Sequence, residues 1–147
     1  MKCLALDYGK TRVGLALGDT DTKVAVGKGV LEGLSQNKLI EKIKAIVNLE
    51  QIERIIIGLP LNMSGEPTLM TEEVQRFIDK LRNHVVIPVQ TFDERLTSAM
   101  ADRLLRLDPH SHGKQDQVAA QIILQNYLDQ VVLWPLPGLL PAWSLAW

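Results

Sequence analysis

Four acidic residues stand where a sheet protein tends to gather a ligand. Asp7 ends the apolar run Lys2 to Leu6, Asp93 and Glu94 follow the run Val85 to Thr91, and Asp116 opens the last helical stretch. In open α/β sheets, ligand sites collect at strand ends. A carboxylate at the edge of a core is costly unless a cation or a donor compensates it. Mg2+ or Mn2+, bound through carboxylate oxygens and water, is the usual solution because these hard ions prefer oxygen ligands. Two such ions roughly 3.5–4 Å apart activate a water and stabilise the leaving oxygen of a phosphodiester, which is the chemistry of nucleic-acid hydrolysis. Taken singly, Asp93 and Glu94 fit solvated turn residues and Asp116 fits an N-cap near a helix dipole.

Lys10, Arg12, Arg95 and Lys114 each lie beside one of these acids. Folded together they would make a basic rim for phosphates; singly they are solvated surface charges. Asn62 and Ser64 could hydrogen-bond a nucleic-acid backbone, although a loop with Gly65 and Pro67 carries polar residues in any case. Gly9 and Gly14 flank the first turn, where glycine serves either a tight turn or the close approach of a phosphate. His110 and His112 read as polar loop residues and stay outside the site. Cys3, the single cysteine, sits in an apolar run as a buried structural thiol, which rules out an intrachain disulfide.

The elements that must position these groups follow from periodicity. Lys2 to Leu6 and Val13 to Leu17 read as a β-hairpin across Asp7 to Arg12, and Val24 to Val30 as a third strand. Helical spacing begins at Ser35, an N-cap, with Leu39, Ile40, Ile43, Ile46 and Val47 on one face. Ile52 to Gly58, with three consecutive isoleucines, is a strand buried on both faces and hence parallel-paired. A helix over Thr71 to Leu81 precedes the strand Val85 to Thr91. Thr97 or Ser98 caps another helix through about Leu107, and Asp116 to about Val132 is the last. The expected fold is α/β: a mixed five-stranded sheet, with a three-strand antiparallel meander plus two parallel strands, and helices on both faces.

With 147 residues and 46% hydrophobic composition, the chain supports one well-buried core. A formal net charge of -1 neither demands nor forbids a polyanionic partner, so any nucleic-acid affinity rests on a local patch. The N-terminal residues lack the length and cleavage pattern of a secretory signal, so a cytoplasmic protein is expected. The stretch 131–147 contains all three tryptophans, three of the seven prolines and no charge. It falls short of the roughly 20 residues of a membrane span, and Pro135, Pro137 and Pro141 argue further against one. The expected organisation is one folded domain over 1–130 and an apolar tail over 131–147 that packs on that domain or at a homodimer or partner interface.

The stretch Ala5-Leu6-Asp7-Tyr8-Gly9-Lys10-Thr11-Arg12-Val13-Gly14-Leu15-Ala16 resembles the opening signature of the YqgF/RuvX family, described as Holliday-junction resolvases and as pre-16S ribosomal RNA nucleases. Ile55 to Gly65 resembles the family's central strand and loop, Phe92 to Ser98 its second acidic motif, and Lys114 to Ala120 with Ile123 to Asp129 its last. The matches run in order from Met1 to about Asp129. The resemblance implies an RNase H-like fold with catalytic, metal-binding acids Asp7, Glu94 and Asp116, Mg2+ or Mn2+ as cofactor, and structured RNA or branched DNA as partner. Asp93 is the neighbour of Glu94 in the second motif and is not among these three acids. The small side chains of Ala119 and Ala120 would then let the last helix approach the sheet.

Two other classes compete. Asp7-Tyr8-Gly9-Lys10-Thr11 also looks like the first phosphate loop of the actin-like ATPases and sugar kinases, which close two domains around a nucleotide where this chain supplies one. A nucleic-acid-binding protein without catalysis is the other, and the presence of all three acids disfavours it. A junction resolvase must cut two opposed strands and so acts as a symmetric dimer.

Overall fold

The computed structural model describes residues 1–62, 64–93 and 115–132, with Gln115, Asp116, Val131 and Val132 described as helical backbone only. Five strands, β1 (Lys2–Tyr8), β2 (Arg12–Asp19), β3 (Val24–Glu32), β4 (Arg54–Leu59) and β5 (Val89–Asp93), form one sheet in the order β3-β2-β1-β4-β5. The β1–β2 and β2–β3 pairs are antiparallel, and β1–β4 and β4–β5 are parallel. The mixed sheet expected from sequence is therefore the observed one. Helices α1 (Gln36–Glu50) and α2 (Leu69–Arg82) connect β3 to β4 and β4 to β5, and α3 (Gln115–Val132) closes the described chain.

Strand alternation divides the core in two. Leu4, Leu6, Val13, Leu15, Ile55, Ile57 and Val89 pack with Leu39, Ile40 and Ile43 of α1 and Val74, Phe77, Ile78 and Leu81 of α2. Cys3, Ala5, Ala16, Ala25 and Ile56 pack on the other face with Ala120, Ile123, Leu124, Tyr127 and Leu128 of α3. Ile55, Ile56 and Ile57 are all fully buried, as a strand covered on both sides requires. The two faces differ in side-chain size. Large aliphatics fill the space under α1 and α2, whereas alanine and glycine dominate under α3.

That second face explains how α3 lies so close. A Cβ at Gly18 would meet the terminal carbons of Leu124 and Leu128 at 3.0 Å, and one at Gly27 would sit 2.4 Å from the Gln117 amide nitrogen. Ala120 is fully buried, but Ala119 is only half-buried. The close approach thus owes more to small residues on the strands than to the alanine pair on the helix.

Element ends differ from the periodicity in informative ways. β1 runs two residues further than its apolar stretch, pairing Asp7 with Gly14 and Tyr8 with Val13, so Asp7 belongs to the strand and not to the turn. β5 begins at Val89 instead of Val85. The backbone N–H of Val85 donates to the end of α2 at Leu81, Val86 is fully exposed, and proline at 88 offers no N–H to a ladder. α2 starts at Leu69 because Thr68 caps it, in a reciprocal box with Thr71 where glutamate is more usual. α1 begins as expected, with the Ser35 hydroxyl accepting the Lys38 N–H. The helix expected from Thr97 or Ser98 to Leu107 lies outside the described residues.

Candidate active site

β1, β4 and β5 are parallel, so their C-terminal ends open on one edge of the sheet. Asp7 stands at that edge, half-buried. Its parity is that of Cys3 and Ala5, which places it on the α3 face. The next residue, Tyr8, turns to the opposite face, where its ring stacks on Phe77 at a centroid distance of 4.3 Å and its hydroxyl accepts a hydrogen bond from Gln36. Tyr8 thereby fixes the end of β1 between α1 and α2 and holds the rotation that turns Asp7 to the other side.

The turn after Asp7 is tight for a steric reason. The Gly9 N–H donates to the Arg12 carbonyl at 2.9 Å, and a Cβ at Gly9 would lie 2.8 Å from that oxygen. The turn itself therefore requires this glycine. Lys10 pairs with Glu73 of α2 at 3.5 Å, and Arg12 with Glu32 of β3 at 3.9 Å. Lys10, Arg12 and Glu32 are solvent-exposed and Glu73 is half-buried, so both pairs are weak and cheap to exchange for another anion.

α3 runs antiparallel to β1. Its Gln117 packs on Gly27, which is level with Ala16 and Ala5, whereas Leu124 and Leu128 reach Gly18, level with Cys3. Near the far edge the Tyr127 hydroxyl accepts from Arg54 at 2.8 Å. The N-terminal turn of α3, with the backbone of Asp116, is therefore directed toward the edge where Asp7 stands, on the same face. Asp7 lies two strand residues beyond Ala5, about 7 Å at the usual strand rise.

The second acidic motif divides by parity. Val89 is buried against α1 and α2, and Phe92 packs against the α3 core. Asp93, exposed at the end of β5 beside Leu59, has the parity of Val89 and so is set on the face opposite Asp7. Glu94, Arg95, Lys114, His110 and His112 lie outside the described residues, as does the side chain of Asp116. Among the described residues no group of three His, Cys, Asp or Glu side chains is placed to hold a metal ion.

Asn62 acts within its own loop. Its side-chain oxygen accepts from the Ser64 N–H at 3.1 Å, the Ser64 hydroxyl at 2.8 Å and the Glu66 N–H at 2.8 Å, and Gly65 takes a left-handed φ of 84°. The Thr71 hydroxyl donates to the Pro60 carbonyl and ties this loop to the start of α2 at the Asp7 edge.

Periodicity missed one functional feature of α3. Gln117, Gln121 and Gln125 recur at four-residue spacing and lie along β3, where Gln121 donates to the Ala25 carbonyl and Gln125 both accepts the Ala25 N–H and donates to the Lys23 carbonyl. The spacing was visible, but a polar stripe on a helix reads by default as its solvated face.

Comparison with known proteins agrees with this architecture. The family model described as RuvX: Holliday junction resolvase matches residues 1–130. A protein of Chloroflexus aurantiacus is 43% identical over 130 residues, covering 86% of this chain and 85% of its own. One of Natranaerobius thermophilus is 38% identical over 136 residues, covering 90% and 96%. Both are provisionally named pre-16S rRNA nucleases. Among solved structures, T. thermophilus RuvC in complex with a Holliday junction substrate aligns with a TM-score of 0.61 at 12% identity, over 90% of this chain and 97% of that one. The fowlpox virus resolvase bound to its Holliday junction aligns at 0.57 and 8% identity, over 90% and 99%. These likenesses establish an RNase H-like fold of the RuvC type. With the match of its sequence over residues 1–130, the chain belongs to the RuvX (Holliday junction resolvase) family.

Proposed function

We propose that the chain is a divalent-metal-dependent nuclease that hydrolyses phosphodiester bonds, that Asp7, Glu94 and Asp116 are its catalytic acids, and that its substrate is the precursor of 16S ribosomal RNA. The observation that carries this reading is the shared face: Asp7 lies on the side of the sheet that α3 covers, and the N-terminal turn of α3 is directed toward the edge where Asp7 stands. Relatives at 43% and 38% identity bear the pre-16S rRNA name, which favours RNA as the substrate.

An all-oxygen donor set of three carboxylates, of which Asp7 is half-buried at a strand end, suits Mg2+ or Mn2+. A metal held by Asp7, Glu94 and Asp116 would supply an activated water and positive charge to stabilise the leaving oxygen. Asp7, fixed by β1 and by the Tyr8–Phe77 stack, orients its ligand oxygens without reorganisation. Lys10 and Arg12 exchange Glu73 and Glu32 for substrate phosphates, and Arg95 and Lys114 extend that rim from the neighbouring motifs. Asn62 holds the shape of the loop beside the edge, and its amide offers a backbone contact.

The family's description favours a second reading, a resolvase acting on four-way DNA junctions as a symmetric dimer. Cleavage of labelled precursor ribosomal RNA and of a four-way junction, with Mg2+ or Mn2+ and with EDTA, for wild type and Asp7→Asn, tests both. Metal-dependent cutting of the RNA that Asp7→Asn abolishes is expected. Cutting of the junction alone would favour the resolvase, and cutting of neither would leave a nucleic-acid-binding protein.

A further inference from the structure

At the edge of the sheet opposite Asp7 there is a groove of about 450 Å³, lined by Leu17, Val24, Val26 and Ile52 with Lys2, Lys28, Asp19 and Glu50 around them. Val24 and Val26, 55% and 58% exposed, share a parity opposite to that of Ala25, so they lie on the side of β3 turned away from α3. Two adjacent β-branched residues of one strand face left open to water are a cost to the isolated fold, since apolar surface is stabilised by removal from water.

We propose that the apolar tail of this same chain, from Leu133 to Trp147, fills this groove. Three observations carry the assignment. The first is where the described chain ends. Leu128 of α3 lies against Gly18, which also lines the groove, and α3 ends four residues later at Val132. Fifteen further residues, extended, reach up to about 50 Å, ample to round the edge of β3 and enter. The second is composition: Leu133 to Trp147 carries no charge and contains Trp134, Trp143 and Trp147, so it suits an apolar floor and has no need of the surrounding ions. The third is the route along β3. Gln121 and Gln125 take the outward backbone groups at Ala25 and Lys23, which closes that stretch of edge to strand addition and leaves the side-chain face as the available contact.

A tethered segment also outcompetes a second copy of the chain, because a short linker holds it at an effective concentration of roughly millimolar. The consequence for the proposed activity is direct. A tail seated among Val24, Val26 and Ile52 is at the far end of β1 from Asp7 and leaves the acidic edge open to substrate.

The tail holds every tryptophan of the protein, so tryptophan fluorescence, excited selectively over that of Tyr8 and Tyr127, reports on it alone. The full chain, its Val24→Glu/Val26→Glu variant and a Val86→Glu control, altered at a fully exposed site remote from the groove, are compared by emission maximum and by acrylamide quenching over a range of protein concentrations. Circular dichroism checks that each is folded. Wild type and Val86→Glu should show blue-shifted emission protected from acrylamide at every concentration, and the double variant a red shift with several-fold stronger quenching. Exposed emission in the wild type would overturn the proposal. So would protection that the double variant retains, which would place the tail elsewhere, or protection lost on dilution, which would assign the groove to a second copy.

Discussion

The carboxamide of Gln125 is seated on the backbone of Ala25, accepting its N–H at 3.0 Å from a distance of a hundred residues in sequence. Ala25 belongs to the outer strand of the sheet, and the outward N–H and C=O groups of such a strand are a template for pairing with another chain. Gln121 takes the carbonyl of the same residue. Two side chains of α3 thus satisfy one buried stretch of edge and lock the helix in register on β3.

Gln125→Leu should therefore destabilise the fold by about 1–2 kcal/mol, the cost of leaving a buried backbone donor unpaired. Urea denaturation measures it. Aggregation should rise in parallel, because the freed edge can pair with another chain; an unchanged midpoint would show that water replaces the glutamine at no cost.

Gly18→Val should cost about 1–3 kcal/mol by overpacking, since even a Cβ at that position meets Leu124, Leu128 and the Val24 carbonyl at 3.0 Å. Because α3 carries Asp116, the substitution should also lower nuclease activity at temperatures where the variant is fully folded. Thermal melts paired with cleavage assays separate the two effects. Activity unchanged in a destabilised variant would mean that α3 tolerates displacement without moving the site.

Asp93 and Glu94 should separate under mutation. Asp93 is set on the α1 and α2 side of β5, away from Asp7, so Asp93→Asn should change cleavage by no more than a few-fold. Glu94→Gln should lower it by on the order of 100-fold or more, given that loss of a metal site's outer partners alone costs 10–100-fold. Equal losses from both would contradict the parity argument.

Much of this arrangement was legible in the residues. The three isoleucines of β4 announced a strand covered on both sides, and Ser35 announced the start of α1, because burial and capping leave local marks. Asp7 was visible at the end of an apolar run, but its place within β1 depends on pairing with Gly14, which no local pattern encodes. The late start of β5 is likewise a tertiary result, in which the end of α2 captures Val85. The small-residue face under α3 escaped notice because alanines and glycines in strands score as weak strand formers, and only the neighbouring helix reveals why they are small.

Cys3 supplies a test in alkaline solution. Its burial holds the thiol above its ordinary value of 9.0, with Arg54 opposing the shift. In the unfolded chain the thiol ionises first, so above that pH the native state binds the extra proton and stability falls as pH rises. Cys3→Ala should flatten this alkaline decline in denaturation midpoints. In the native wild type, thiol reagents should react at the rate of unfolding; rapid labelling would show that the core beneath α3 opens locally.

The alternation of β1 also limits how this enzyme can change over evolutionary time. Asp7 is on the α3 side and Tyr8 on the other because each residue reverses the direction of the last, so inserting or deleting one residue within β1 would exchange their places and turn the carboxylate into the aliphatic core. Loops around the acidic edge can lengthen or shorten by any number. The strand that presents Asp7 can be inherited only in steps of two.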